Sequence, residues 1–417
     1  MESKNKAERQ GQKNNTYALL NSPALHGGVE GGFRYAKRSD VFSYLAISTK
    51  HLSMSIFRRL RRPLGILLLL CLLYFGGLLL HGAWTDWQPE GITPLAIEHP
   101  PAQRLIGDSI VSLVTWNVGY GGLGAESDFS FDDAGMWYSG ASMIRSPLEL
   151  VQKNLRGAVS FLQNTRTDFF LLQEVDVASK RSHDLPQYAD YQAALPMFAA
   201  TMAINYRCDR VPIPLLEPWH PYGHVLSGLA TLSRFQPTEA TRHQLPGHYP
   251  MPDRMFQLDR CAALHRFPTT RGKDLIVINL HNAAYDPGDK IKAIQLPYLR
   301  DLALAEYQKG NYVILGGDWN QCPPNFRFDT FMPGNAQGYV EGNIPIDFFP
   351  EAWQYAYDPT VPTNRKARDP YVKGQTFETL IDFFLISPNL VIRSVKGIQQ
   401  DFQFSDHQPI WLEVQFQ

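Results

Sequence analysis

Residues 110–117 read IVSLVTWN, a short apolar run rich in β-branched side chains that closes on a polar one. Such a run is the mark of a buried strand, and the same construction recurs along the chain. DFFLLQ (168–173) ends at Glu174, and LIVINL (275–280) ends at His281. YVIL (312–315) leads through Gly316-Gly317 to Asp318 and Asn320. TLIDFFLI (379–386) carries Asp382, and IWLEV (410–414) follows the Asp406-His407 pair. Helical signals separate some of these runs. Ser146-Pro-Leu-Glu149 predicts a helix start with Ser as N-cap and Glu closing a capping box. Leu148, Val151, Leu155, Val159 and Leu162 then give that helix an apolar face. Residues 291–309 predict a second helix, interrupted at Pro297 and stopped by Gly310-Asn311. Several strands follow one another through loops alone. That order predicts an α/β fold of two packed sheets flanked by helices, rather than a doubly wound parallel sheet. In such a scaffold, polar residues at strand ends converge on one cleft.

Upstream of this domain, Pro63–Leu80 reads PLGILLLLCLLYFGGLLL, 18 residues without a charge. As a helix it would be about 27 Å long, close to the hydrocarbon thickness of a bilayer. Arg58, Arg59, Arg61 and Arg62 precede it, and Trp84 and Trp87 follow. Residues 1–62 hold 12 Lys+Arg against 4 Asp+Glu, whereas 63–417 hold 27 against 36. The positive-inside rule then predicts a cytoplasmic N-terminus and a single-pass protein of the cell membrane, its larger part extracytoplasmic. The predicted organisation is a basic, disordered tail over 1–62, a transmembrane helix over 63–83, a tether over 84–104 and a working domain over 105–417. Met54 is an alternative start, since MSIFRRLRRP has the shape of a membrane-targeting N-terminus. A 44% hydrophobic share excludes a chain disordered throughout. Four cysteines without a CxxC pair exclude a disulfide scaffold and give no zinc signature. Cys208 and Cys261 are either a disulfide, allowed outside the cytoplasm, or two free buried thiols. Cys322 reads as packing.

The strand-end residues form a chemical set. Asn117, Glu174 and Asp406 are hard oxygen donors suited to Mg²⁺ or Mn²⁺ rather than zinc. Two histidines and two further carboxylates accompany them, the parts needed for metal-assisted hydrolysis of a phosphate ester. Arg207, Arg210, Arg254 and Arg260 are a candidate basic patch, although the −9 balance of 63–417 gives no footprint for tight nucleic-acid binding.

TWNVG (115–119), LLQEVD (171–176), SGLATLSR (227–234), INLH (278–281), GGDWN (316–320), LIDFFLIS (380–387) and SDHQP (405–409) stand in a telling order. In that order they resemble the motifs of the endonuclease/exonuclease/phosphatase superfamily, which includes pancreatic-type deoxyribonuclease, abasic-site endonucleases, neutral sphingomyelinases and inositol polyphosphate 5-phosphatases. The resemblance spans about 105–417 and implies a four-layer α/β sandwich with its site between the sheets. It implies Glu174 as the main metal carboxylate, with Asn117 and Asp406 beside it. It further implies Asp318 as the residue that orients or deprotonates the attacking water, and Asn320 as a holder of the phosphate. His407 would contact phosphoryl oxygens or move a proton, oriented by Asp382. His281 would be the general acid for the leaving oxygen, and Asn205 a contributor to the phosphate pocket. Gly119 stands where abasic-site endonucleases carry an acidic residue, and those enzymes lack a match to His281. GYGG (119–122) and the acidic stretch 126–133 look like a mostly bacterial, membrane-associated branch. The function implied is a membrane-anchored, metal-dependent phosphodiesterase acting on a phospholipid headgroup or nucleic acid, with the bilayer and the phosphate ester as partners and no obligate protein partner. The alternatives are a phosphomonoesterase of inositol-phosphate type and an inactive scaffolding protein of the same fold.

Overall fold

The computed structural model describes residues 38–99, 103–129, 137–140, 142–284, 286, 288–334 and 342–417. Residues 1–37 of the expected tail, and 130–133 of the acidic stretch, lie outside the described residues. The chain divides into two units at Leu72/Leu73. Within the first, helix α1 (Arg38–Thr85) begins at Arg38, so 38–62 is helical rather than irregular. Its stretch Leu60–Thr85 is long and apolar enough to cross a membrane, and its most apolar window is not buried against protein.

In the second unit, two sheets face each other. One has seven strands in the order β1 (Ile92–Pro94), β6 (Glu239–Gln244), β7 (Cys261–Pro268), β8 (Asp274–His281), β9 (Tyr312–Asp318), β13 (Asp382–Ile386), β10 (Gln354–Ala356). The other has six, in the order β14 (Leu390–Gly397), β15 (Ile410–Phe416), β2 (Ile110–Asn117), β3 (Phe169–Asp176), β5 (Gly223–Ser233), β4 (Ala199–Val211). Both sheets are mixed, with parallel pairs β2/β3 and β8/β9. A small ladder, β11 (Asn364–Arg365) with β12 (Glu378–Thr379), stands beside them.

Alternation along each strand assigns its side chains to layers. Val111, Leu113, Phe169 and Leu171 point inward to meet Leu275, Val277, Ile314 and Phe384 between the sheets. Val114, Trp116, Phe170 and Leu172 point outward under α2 (Leu148–Asn164), whose Leu155, Ala158 and Leu162 cover them together with Tyr188 and Tyr191 of α3 (Gln187–Ala194). Ile276, Ile278, Val313 and Leu315 lie on the far face under Leu296, Leu299 and Ala303 of α4 (Lys292–Gln308). The result is the helix–sheet–sheet–helix sandwich expected. At roughly 1.5–3 kcal/mol for each large apolar side chain removed from water, these three clusters dominate stability.

Several local expectations change, and the alternative left open for Cys208 and Cys261 is resolved. Ser146 does not cap α2; its hydroxyl meets the Gly122 carbonyl instead, and Pro147 stands at the N-cap without a side-chain bond. Helix α4 runs through Pro297 unbroken, because packing of Leu296 and Leu299 on the sheet outweighs the one missing N–H. Residues 92–94 of the expected tether form an edge strand paired to β6. Cys208 and Cys261 are both free thiols. Of the four arginines expected as a surface patch, Arg260 is buried, while Arg210 donates to the Pro218 carbonyl (3.1 Å) and Arg254 faces Asp86 (3.7 Å).

Candidate active site

Three neighbouring strand ends of the seven-stranded sheet align the first group. Register pairs His281 with Asp318 across β8/β9 and Asp318 with Asp382 across β9/β13. Two glycines make this possible. A Cβ on Gly317 would lie 2.0 Å from the Leu280 carbonyl oxygen, and one on Gly316 2.4 Å from the Phe384 ring. Across the cleft, β2 ends at Asn117, and β3 carries Glu174 at a bulge, where its φ of 56° turns the side chain out of the strand alternation. Asn320 is likewise left-handed, at φ 50°. Left-handed non-glycine residues are uncommon, and both stand at positions singled out by their chemistry.

The 405–407 segment is pinned to β2. Ser405 Oγ donates to the Asn117 carbonyl (2.8 Å), and the Trp116 indole donates to the His407 carbonyl (3.0 Å). Asp406 Oδ1 lies so close to the backbone at Gly119 that a Cβ there would sit 2.9 Å away. An acidic side chain at that position would need a different backbone path.

Asp318 is the hub. Its Oδ1 accepts from the Asn320 amide (2.9 Å), and its Oδ2 accepts from Asn117 Nδ2 (3.0 Å). The same Oδ2 lies 3.4 Å from His281 Nε2 and 3.7 Å from His407 Nε2. Asp382 Oδ2 meets His407 Nδ1 at 2.8 Å, fixing the ring. His407 Nε2 also lies 3.0 Å from the Asn364 amide.

Charges are distributed unequally between the two histidines. Burial opposes a charge on His407, but Asp382, Asp318 and Asp406 outweigh it and raise its pKa well above the ordinary value. Burial pushes Asp382 up to about 6, against the pull of His407. Burial, then Arg260, His407 and Arg181, hold His281 well below its ordinary range. The surrounding carboxylates thus favour a proton on His407, whereas burial and the nearby cations disfavour one on His281. The sequence expectation placed the proton donor at His281, and these biases favour His407 for that part.

Two groups of residues could hold a cation. Asp318, Asp382 and His407 offer atoms within 4.8 Å of one another. Within that group Asp382 Oδ2 is already engaged by His407 Nδ1. Glu174 fits better: it is half-buried, and Asn117 Nδ2 meets only its Oε1 (3.1 Å). No hydrogen bond reaches Oε2 among the described residues. A carboxylate oxygen left open in this way suits a hard divalent ion, and Asp406, half-buried on the segment pinned to β2, is the other carboxylate expected beside it. The Asn117 oxygen also accepts from the Gly119 amide (3.0 Å), so Asn117 organises the carboxylates as well.

Asn320 is buried, with its amide donating to the Asn282 carbonyl (3.1 Å). Asn205 is buried at a bulge in β4, its Nδ2 has no partner among the described residues, and it makes no hydrogen bond to the Asp318 group.

Sequence reasoning named Arg260 only within a surface patch and missed two further parts. Arg260 is buried, and its Nε and Nη1 have no hydrogen-bond partner among the described residues. Its charge acts on His281, which β7/β8 pairing places on the neighbouring strand. The signal was its place just before a strand adjacent to INLH. Arg181 is buried in a fork with Asp176 (2.8 Å) and lies 4.0 Å from the Tyr120 ring centroid. Gln173 and Asn279, the amides inside LLQEVD and INLH, bond to each other across the sheets (2.8 Å).

The model of the Endonuclease/Exonuclease/phosphatase family matches residues 114–407 of this chain. Among solved structures, the chain is similar to an endonuclease/exonuclease/phosphatase from Beutenbergia cavernae, at 15% identity over 74% of this chain and 72% of that one, with TM-score 0.47. It is similar to another from Bacteroides vulgatus, at 15% identity over 74% of this chain and 100% of that one, with TM-score 0.44. The human Nocturnin catalytic domain with bound sulfate matches at 16% identity over 75% of this chain and 97% of that one, with TM-score 0.45. No curated protein matches the chain.

Proposed function

From the premise that this chain belongs to the endonuclease/exonuclease/phosphatase family of phosphoesterases, we propose that it is a membrane-anchored phosphodiesterase whose catalytic domain works outside the cytoplasm. One observation carries the reading: Asp318 Oδ2 lies 3.4 Å from His281, whose surroundings disfavour a charge, and 3.7 Å from His407, whose carboxylate neighbours favour one. Two groups with pKa values pushed apart around one carboxylate are what acid–base assignment requires. Asp318, backed by neutral His281, receives the proton of the attacking water. His407 donates to the departing oxygen, with Asp382 stabilising its charge. Arg260 and Asn320 hold the phosphoryl oxygens. A divalent ion at Glu174, Asn117 and Asp406 would supply Lewis-acid polarisation of the phosphoryl group. The substrate class is a phosphodiester with an alkoxide leaving group, in a phospholipid headgroup or a nucleic acid.

The test uses the full chain in detergent, assayed on bis-nitrophenyl phosphate, sphingomyelin, phosphatidylcholine, DNA and an inositol polyphosphate. EDTA should abolish turnover, and Mg²⁺ or Mn²⁺ should restore it. Glu174→Gln should weaken the metal dependence without loss of fold. Full activity in EDTA would overturn the metal-assisted reading. Turnover of the inositol polyphosphate alone would make the enzyme a monoesterase.

A further inference from the structure

Two loops beside the apolar helix expose large apolar side chains. Trp137 is 56% exposed, Tyr138 65%, Leu216 55% and Trp219 78%. They belong to one surface, because the Leu216 amide donates to the Trp137 carbonyl (3.0 Å) and Ser139 Oγ donates to Glu217 (2.9 Å). That surface is tied to helix α1. Tyr74 Oη donates to the Leu215 carbonyl at 3.0 Å, while Gly82, two turns further on, packs against Phe256 and Met255. Tyr74 lies inside the uncharged run Pro63–Leu80, six residues before its end. At 1.5 Å per residue, the loop pair therefore meets the helix about 9 Å short of the end of its apolar segment.

We propose that these paired loops are a second membrane contact, inserted into the outer-leaflet interface beside the helix; this rests on the membrane-spanning reading above. The chemistry fits lipid. Trp and Tyr combine an apolar body with a polar tip and settle at the headgroup level. Arg210, bonded to the Pro218 carbonyl at 3.1 Å, stands beside the same loop, where headgroup phosphates would lie. Because residues 63–417 carry a balance of −9, general electrostatic attraction to anionic lipid does not drive this contact. Apolar insertion does, so zwitterionic lipid suffices.

The test is nitroxide depth measurement on the full chain in phosphatidylcholine vesicles, in a Cys71→Ser background. Cys208, Cys261 and Cys322 are buried and escape labelling. Single labels are placed at Leu68→Cys in the helix, Leu216→Cys in the loop pair and Leu105→Cys as an exposed control; Trp219→Cys repeats the loop reading. The expected result is that labels at 216 and 219 resemble that at 68, open to oxygen and shielded severalfold from a water-soluble nickel chelate relative to 105. A lipid-buried label at 68 with water-exposed labels at 216 and 219 overturns the proposal and leaves the anchor standing. Loop labels shielded from both reagents indicate a protein occupant and also overturn it. A water-exposed label at 68 removes the anchor and the proposal with it.

Discussion

At the scale of single residues, the site depends on which groups are charged. Asp382→Asn keeps a hydrogen-bonding atom beside His407 Nδ1 but removes the carboxylate that holds it cationic. Turnover of substrates with alkoxide leaving groups should fall by about 10² to 10⁴, the usual worth of acid–base assistance, with much less loss on a nitrophenolate ester. Kinetics on paired substrates check this; equal losses would deny His407 the donor role. Arg260 offers a different signature. Its Nε and Nη1, buried near His281 and without a partner among the described residues, imply a bond completed by the substrate. Arg260→Met should lower kcat/KM by about 10²-fold, as does loss of one preorganised donor, and should move the His281 titration upward in NMR. An unchanged His281 titration would separate Arg260 from the site. The histidines, carboxylates and asparagines of the cleft were legible because each stands at or beside one end of an apolar strand. Arg260 was not, because nothing local distinguishes a buried arginine from one in a solvated patch.

At the scale of elements, β8 and β9 approach so closely that only glycine fits at 317. Gly317→Ala would force its Cβ to within 2.0 Å of a backbone oxygen. Overpacking of this kind costs about 1–3 kcal/mol or more, and here it also displaces Asp318. Urea denaturation should show a lowered midpoint together with lost activity. Strands β4 and β7 are joined by Thr201 Oγ1 and His265 Nε2 at 2.7 Å. Burial pushes His265 down to about 4 from its ordinary 6.5. The unfolded chain therefore binds the proton first as pH falls. The stability due to neutral His265 is present above about pH 6.5 and is lost as pH drops toward 4, amounting to about 2 kcal/mol between pH 7 and 5. His265→Gln should flatten that part of the pH dependence of urea midpoints, and an unchanged slope would refute it. The strands β4, β5 and β7 were harder to read than β2 or β8. Thr201, Asn205, Ser227 and Thr231 face inward, where polar groups are satisfied only by partners on other strands, so local alternation gave no clean period.

At the scale of the whole molecule, the four arginines before Pro63 and the apolar Leu60–Thr85 stretch lead to an expected orientation. An alkaline phosphatase fused after Gln417 should be active in cells, and a green fluorescent fusion there should be dark. The opposite pair of results would place the catalytic domain in the cytoplasm. The loop pair at 137–140 and 213–219 was invisible as a unit in the sequence, since more than 70 residues separate its halves. A single backbone hydrogen bond, with the Ser139–Glu217 contact, makes it one surface.

The sequence by itself determined the layers and the parts of the site. Period-two apolar runs can be buried only between or beneath other layers, and the polar residue closing each run is carried to the same edge. It also determined the helix with its arginine-flanked end, because length and charge act locally along the chain. Tertiary structure decided how the two histidines are biased. His281 and His407 are chemically identical in the sequence, yet one sits beside Arg260 and the other between two carboxylates. It also decided the backbone strain at Glu174 and Asn320, the inter-sheet bond of Gln173 to Asn279, and the fate of Ser146. Each depends on which distant groups arrive within hydrogen-bonding or Coulombic range, and no local pattern encodes that distance.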